Sequence, residues 1–370
     1  MLMSRSTSGT ATPQGMDGPD YSARDAAGLV RIFEFFGEVE CPQLDAHLYE
    51  SLCRGIVEDE VLLEMASHAP PNQPPPNLLF AAVQYLLLGG VEHRLRDWYP
   101  GLAGDGGRDA ATVFPAFRDF CLAHRAPIVD LIGTRLVQTN VIQRSSALLP
   151  GFARVFEERG GRPLALVEIG PSAGLNLRWD RFRYRYEPGG LTWGDPHSRV
   201  EVPCDVRGEL PLPVLPQEIP VASRRGVDIH PIDVDDADST RWLRALIWPD
   251  HPGRQQRLSN AIEVARKCPA EIVTGDASRE LGRLIRRAPE GTAVCVYGTH
   301  TLYQFPRDIL LTTLREMQRA SRERPVDFLS MEGSGDRCSE LRHTRYRDGE
   351  RETLLIANCN PHGRWLEWLL

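Results

Sequence analysis

The stretch Leu164-Ala-Leu-Val-Glu-Ile-Gly-Pro-Ser-Ala-Gly-Leu-Asn-Leu177 decides the fold. Leu164 to Ile169 is a short apolar run and reads as a buried strand, with one acid, Glu168, near its end. Gly170 and Gly174 then make a turn, and the chain beyond reads as a helix. Glycine permits backbone angles and close approaches that a Cβ would block. A strand, a glycine turn and a helix in this order bring free N–H groups to a ligand at the edge of a parallel sheet.

Working downstream, short β-branched runs alternate with helical segments after Gly160, which is the pattern of βαβ units and an α/β fold. Strands are expected at 164–169, near 227–229, and at 271–274, 293–297 and 326–330. The helical segments between them are 239–247, 258–266, 279–286 and 307–322. A C-terminal hairpin is expected from 342–347 and 353–357 around Asp348-Gly349. Residues 181–206 alternate aromatic and arginine (Phe182, Tyr184, Tyr186) and read as an inserted β-hairpin, followed by a proline-rich connector at 203–220.

Working upstream, the signal is helical. Residues 1–24 are rich in Ser, Thr, Gly and Pro and are expected to be disordered. Residues 25–158 read as a helical domain, and 159–370 as the sheet domain with its insertion at about 181–220. Leu44, Leu48, Leu52 and Ile56 recur every four residues on one helix face. After the breaker Pro70–Pro76, Asn77 is the expected cap of Leu78–Leu88, which is apolar nearly all round. Pro127 is expected in the first turn of a helix running through Asn140, and Ser145–Phe156 continues the helical signal.

Bulk properties exclude several classes. The chain has 370 residues and a net charge of -7, so no global basic field recruits nucleic acid. Lys267 is the only lysine, which leaves no Gly-Lys-Ser/Thr phosphate loop. None of the 8 cysteines forms a Cys-x-x-Cys pair, and Cys53 and Cys295 sit in apolar patterns as buried thiols. The N-terminus lacks the apolar core of a signal peptide, and no run of about 18 apolar residues exists. A reduced, cytoplasmic protein with no membrane contact is expected. Asp233, Asp235, Asp236 and Asp238 lie beside His230, but they read as the acidic opening of a helix, so no metal is expected.

Glu168, Gly170, Ser172 and Gly174 fall on the acidic-x-Gly-x-Gly-x-Gly spacing of class I S-adenosylmethionine-dependent methyltransferases, with serine at the middle glycine. The strand order expected above resembles the same Rossmann-like family, whose final antiparallel strand slots between two others. That resemblance covers about 160–360. It implies S-adenosylmethionine as cofactor, held by Glu168, Gly170, Ser172, Gly174 and Asn176. An acid would then meet the ribose. Asp228, ending the second strand, is preferred to Asp195, which lies at the usual distance but in a turn-like Trp-Gly-Asp-Pro. Asp276 in Gly-Asp-Ala would meet the adenine together with Ala277, although aspartate there also reads as a helix N-cap.

Chemistry is expected at the end of the fourth strand. His300 is the candidate general base, because histidine titrates near neutral pH, and Tyr297 and Tyr303 are expected to face the sulfonium cation or flank a planar substrate. Tyr303 and Glu332, with Asn140 and Arg144 just before the first strand, are candidate substrate contacts. Asp336 shares the loop of Glu332. The loop lacks the Asn/Asp-Pro-Pro-aromatic signature of many amino-group methyltransferases, which argues for a small-molecule substrate rather than nucleic acid.

Glu-Ile-Gly-Pro-Ser-Ala-Gly-Leu-Asn-Leu, Trp-Gly-Asp-Pro, Gly-Val-Asp-Ile-His-Pro and the segment from Gln138-Thr-Asn140 to Arg144-Ser also resemble a family of uncharacterised bacterial proteins classed as a domain of unknown function. This second resemblance covers roughly 25–370 and brings no substrate. Two rivals stay open: an NAD-dependent oxidoreductase on the same fold, and a non-catalytic ligand sensor on a degenerate methyltransferase fold.

Overall fold

The computed structural model describes residues 19–103, 108–335 and 338–370. Residues 1–18, most of the stretch expected to be disordered, lie outside these, as does Asp336. Residues 19–24 are tied down: the Tyr21 hydroxyl donates to Glu40, and Arg24 Nε donates to the Ala69 carbonyl at 2.6 Å. The contacts divide the chain into two units. One comprises residues 17–139 with 235–259, and the other 140–234 with 260–370. Residues 140–158, counted above with the helical domain, group with the sheet.

The helical unit is built around helices Ala26–Phe35, His47–Ile56, Glu60–Ser67, Pro75–Leu88, Phe114–Ala123, Arg125–Thr134 and Ala237–Ala245. Leu48, Leu52 and Ile56 form the expected buried face, but Leu44 lies outside that helix. The apolar helix starts at Pro75 rather than after Asn77, because a proline at the first helical position needs no N–H partner. Its Phe80 stacks on Tyr49 with ring centroids 4.2 Å apart. The helix containing Pro127 ends at Thr134, so Asn140 lies outside it, on chain with no regular secondary structure. Asp236 accepts from the amides of Asp238 and Ser239, so the acidic run does open a helix.

The other unit is built on a mixed sheet, with eleven strands among the described residues: β1 Leu164–Ile169, β2 Arg183–Glu187, β3 Leu191–Gly194, β4 Glu201–Arg207, β5 Val221–Asp228, β6 Glu271–Thr274, β7 Ala293–Thr299, β8 Val326–Gly333, β9 Ser339–Arg347, β10 Glu350–Cys359 and β11 Trp365–Trp368. Their order is β3-β2-β4-β11-β10-β9-β8-β7-β1-β5-β6. The run β6-β5-β1-β7-β8 is parallel throughout. Side chains alternate across it. Ala165, Val167 and Ile169 of β1, with Val294 and Val296 of β7, form one core with Leu281, Leu284 and Met317, from helices Ala277–Arg286 and Arg307–Ala320. Glu168 and Tyr297 therefore share the opposite face, where Phe152 of helix Ser145–Glu158 meets the Tyr297 ring edge-on at 5.2 Å.

Two features differ from expectation. The C-terminal hairpin is present, and its turn places Asp348 and Gly349 at φ of 51° and 83°, the geometry that favours Asp-Gly. The final strand, β11, does lie between two others, β10 and β4, but beyond the hairpin rather than beside β8 as the methyltransferase order expects. β9 folds straight back along β8 and β10 lies outside it, because the link is so short that Gly333 pairs with Ser339. The insertion is also larger than a hairpin. Part of the proline-rich connector is β4, and β2, β3 and β4 join the main sheet through β11. Tyr184, Tyr186 and Trp193 make its buried face.

Candidate functional site

β5 and β6 lie on one side of β1, while β7 and β8 lie on the other. The crevice of an open α/β sheet forms at such a reversal, beyond the carboxyl ends of the strands. Glu168 and Tyr297 are direct register partners across it. Glu168 is 2 % exposed and accepts one hydrogen bond from the Tyr297 hydroxyl, at 3.0 Å on Oε2. Burial pushes its carboxyl up to about 8, against the pull of that bond and of the Arg178 charge. Tyr297 is itself fully buried, and burial raises its phenol well above the ordinary range. Its hydroxyl is engaged by Glu168.

The turn after β1 is more occupied than the sequence implied. Gly170, Ser172 and Gly174 all have positive φ, at 68°, 54° and 65°. A Cβ on Gly170 would stand 2.4 Å from Thr301 Cγ2, and one on Gly174 would stand 2.6 Å from Ile272 Cδ1. Protein side chains, not open space, fill the room these glycines leave. The amides are engaged too. Ser172 N–H donates to Asp228 Oδ2 at 2.8 Å, Leu175 N–H to Asn140 Oδ1 at 2.9 Å, and Gly174 N–H to the Pro171 carbonyl at 2.7 Å. The following segment, Leu175–Arg181, is a 3-10 helix with a kink at Arg178 rather than a full α-helix. The expected cradle of free amides is absent at these positions. Among the described residues, two buried side-chain atoms of the turn have no hydrogen-bond partner, Ser172 Oγ and Asn176 Oδ1.

Asp228 and Asp276 cluster at the ends of β5 and β6. Asp228 also accepts from His230 N–H at 2.8 Å, so it ties the glycine turn to its own strand end. The Gly275 amide donates to the Asp228 carbonyl, and Asp276 caps the helix beginning at Ala277 through the Ser278 amide. Ile229, next to Asp228, is 65 % exposed. Asp195 lies beyond β3 in the insertion, where it accepts from the His197 amide.

A third group gathers at the ends of β7 and β8. His300 has a φ of 52° and shares a hydrogen bond of 2.8 Å between Nε2 and Ser339 Oγ. Burial, with the Arg144 charge, pushes its pKa down to about 3. Such a ring stays neutral and is a weak base, contrary to the near-neutral titration expected of it. Glu332 is half-buried, not a freely exposed loop acid. Its Oε1 accepts from the Thr301 and Leu302 amides at 3.1 Å each, and its buried Oε2 has no hydrogen-bond partner among the described residues. Tyr303 is 52 % exposed and meets the His300 ring edge-on. Arg144 ends the 3-10 turn Ile142–Arg144. Its Nε donates to the Pro361 carbonyl at 2.8 Å, and Nη1 to the Thr299 carbonyl at a longer 3.4 Å.

The profile of DUF2332, described as an uncharacterized protein conserved in bacteria, matches residues 30–368. The chain belongs to this family. Neither a curated protein nor a solved structure matches it. The family assignment agrees with the resemblance read from the glycine turn and the Trp-Gly-Asp-Pro segment, and it covers both units.

Several site residues carried no sequence signal. Thr301 fills the space beside Gly170, Ser339 holds His300, and Phe152 and Trp179 stack at 4.6 Å on the face that carries Glu168. Elsewhere a cavity of about 310 Å³ opens in the insertion, walled by Asp180, Trp193, Asp195, Glu218 and Ile219. Glu158, Asp327 and His343 come within metal-ligand reach of one another. Arginines already neutralise that cluster, since Arg159 and Arg347 pair with Asp327 at 2.6 and 2.8 Å, and Arg345 with Glu158. Among the described residues no helix is long and apolar enough to cross a membrane.

Among the described residues, side chains around the turn keep acceptor atoms and apolar surface that could meet a ligand, whereas its amides are engaged. Glu168 has one oxygen free of protein hydrogen bonds, Asn176 Oδ1 is orphaned, and an exposed isoleucine stands beside Asp228. These are acceptors for an ammonium group and apolar cover for a flat ring.

Proposed function

We propose that this protein is an S-adenosylmethionine-dependent methyltransferase acting on a small molecule. The observation that supports this most is the buried Glu168 carboxyl at the strand-order reversal, half engaged by Tyr297 and half open. A buried acid displaced this far from its usual pKa costs stability, and such groups concentrate at functional sites. An ammonium group beside it would favour the carboxylate and relieve that cost. Glu168 and Asn176 would hold the amino-acid end of the cofactor, and Asp228, Asp276, Ala277 and Ile229 the nucleoside end. Gly170, Ser172 and Gly174 set the path of the turn. When bound, the cofactor supplies a methyl group on a cationic sulfur. The protein's part is to align an acceptor with it and to exclude water. His300, held neutral, orients rather than removes protons; Tyr297 positions Glu168.

A second reading, a ligand sensor without turnover, is favoured by one observation: the turn amides are already engaged within the protein. Calorimetry with S-adenosylhomocysteine, S-adenosylmethionine and NAD separates the readings. The methyltransferase reading expects both adenosyl compounds to bind and Glu168→Gln to weaken them about tenfold or more. Binding of NAD alone would overturn it in favour of an oxidoreductase. Tight adenosyl binding with no methyl transfer across an acceptor panel would leave the sensor.

A further inference from the structure

Arg144 is a cation with unused hydrogen-bonding capacity, half-buried on the β7–β8 side of the site. Two of its nitrogens donate to the main-chain carbonyls of Pro361 and Thr299. Among the described residues Nη2 makes no hydrogen bond, and the guanidinium forms no ion pair. Its hydrogen bonds go to carbonyls only, and the nearby acids Glu332 and Glu168 act on it through charge without a hydrogen bond, so a half-buried guanidinium keeps a donor edge that an anion would complete. The loop behind it is close-packed, since a Cβ on Gly363 would stand 2.2 Å from the Gln143 carbonyl oxygen. The Gln143–Arg144 backbone is therefore held against that loop, while Nε and Nη1 tether the side chain.

We infer that Arg144 binds the carboxylate of the acceptor substrate, a small planar monocarboxylic acid. This rests on the methyltransferase reading for the word acceptor, but not for the anion site itself. Position assigns the carboxylate to the acceptor. Asp228 and Asp276, on the proposed nucleoside side, follow β5 and β6, whereas Arg144 is anchored to the end of β7 and to the segment after β10, on the other side of β1. The neighbouring acid Glu332 disfavours a dianion such as phosphate. A carboxylate matches the planar fork of arginine, and Nη2 with the loosely held Nη1 offers two donors to it. Tyr303, half exposed and edge-on to His300, supplies an aromatic wall for a flat acid.

Benzoate and benzamide are the probes, because they share one shape and differ in charge. Titrations of the full chain are followed by the 15N signals of the arginine side chains. Benzoate is expected to bind at millimolar concentration, about tenfold more tightly than benzamide, and to shift the Arg144 signals. Arg144→Gln should erase the preference, and Arg144→Lys should keep part of it. Circular dichroism checks that both variants fold; if Arg144→Gln does not, the wild-type comparison and Arg144→Lys still decide. Equal binding of acid and amide, or binding of neither, overturns the inference. S-adenosylhomocysteine and 5′-methylthioadenosine, which lacks the amino-acid end, test the alternative source. If Arg144→Gln weakens the first and spares the second, the carboxylate is the cofactor's and the acceptor assignment falls. If neither adenosyl compound binds the wild type, the methyltransferase reading fails, while the acid–amide comparison still decides whether Arg144 is an anion site.

Discussion

The Tyr297 hydroxyl donates to Glu168 Oε2 at 3.0 Å across the β1–β7 pair, where the strand order reverses. Both side chains are buried on one face of the sheet, so this hydrogen bond is the main compensation for sinking an acid there. Glu168 consequently holds its proton up to about pH 8 in the folded chain, against an ordinary 4.5.

That displacement fixes a sign. Between these two values the unfolded chain is ionised at this residue and the folded chain is not, so folding takes up a proton. Stability from this group therefore falls as pH rises through the window, by up to about 1.4 kcal/mol per pH unit. Glu168→Gln should flatten the dependence and gain on the wild type toward pH 8. Urea midpoints of both proteins from pH 5 to 8 provide the measurement, and parallel curves would refute the assignment of a buried protonated acid.

Tyr297→Phe tests the other partner. The phenol pulls the Glu168 pKa down, so its loss should move the titration of that carboxyl further up. It should also cost about 1–2 kcal/mol, the usual cost of leaving a buried polar group short of a partner. The carboxyl 13C resonance of Glu168, followed with pH, reports the first effect, and denaturation the second.

The frame of this site was legible because it rests on local rules. β1 and β6 lie where their apolar runs lie, and Asp348-Gly349 makes its turn because both residues tolerate positive φ. What escaped is tertiary. Whether Gly170 makes room for a ligand or for Thr301 depends on a residue 131 positions away, and no periodicity encodes that. The same holds for His300, whose ring looks like a base in the sequence and is disarmed by burial beside Arg144. The short β8–β9 link escaped as well, because the expected strands at 326–330 and 342–347 stopped short of the observed ends at Gly333 and Ser339.

His300 should therefore be silent near neutrality. Held near a pKa of about 3 and bonded to Ser339, its ring signals should not move between pH 5 and 8. Ser339→Ala removes the partner and should alter the ring's tautomer signals without making it titrate near 7. A midpoint near 6.5 for wild-type His300 would restore it as a candidate base.

Gly170→Ala carries two separable penalties. One is the φ of 68°, unfavourable for any Cβ; the other is the 2.4 Å approach to Thr301 Cγ2. Together they should cost about 1–3 kcal/mol. Thr301→Ala shortens the obstructing side chain, so the double variant should be less destabilised than the sum of the two singles. Strict additivity in denaturation would mean that the turn does not pack on Thr301.

Asp327 gives the opposite pH sign from Glu168. His343, Arg159 and Arg347 surround it and hold its carboxyl down at about 2, despite burial that pushes the other way. The stability it contributes is complete above its ordinary value of 3.8 and is lost as pH falls through about 2. Asp327→Asn removes the charge and strands two arginines, so it should cost about 3–5 kcal/mol at pH 7. The variant should also show a weaker loss of stability between pH 4 and 2 than the wild type. Because the arginines already neutralise this cluster, a chelator should leave the wild-type melting temperature unchanged. A fall on chelation, reversed by adding zinc, would show instead that Glu158, Asp327 and His343 hold a metal ion in solution.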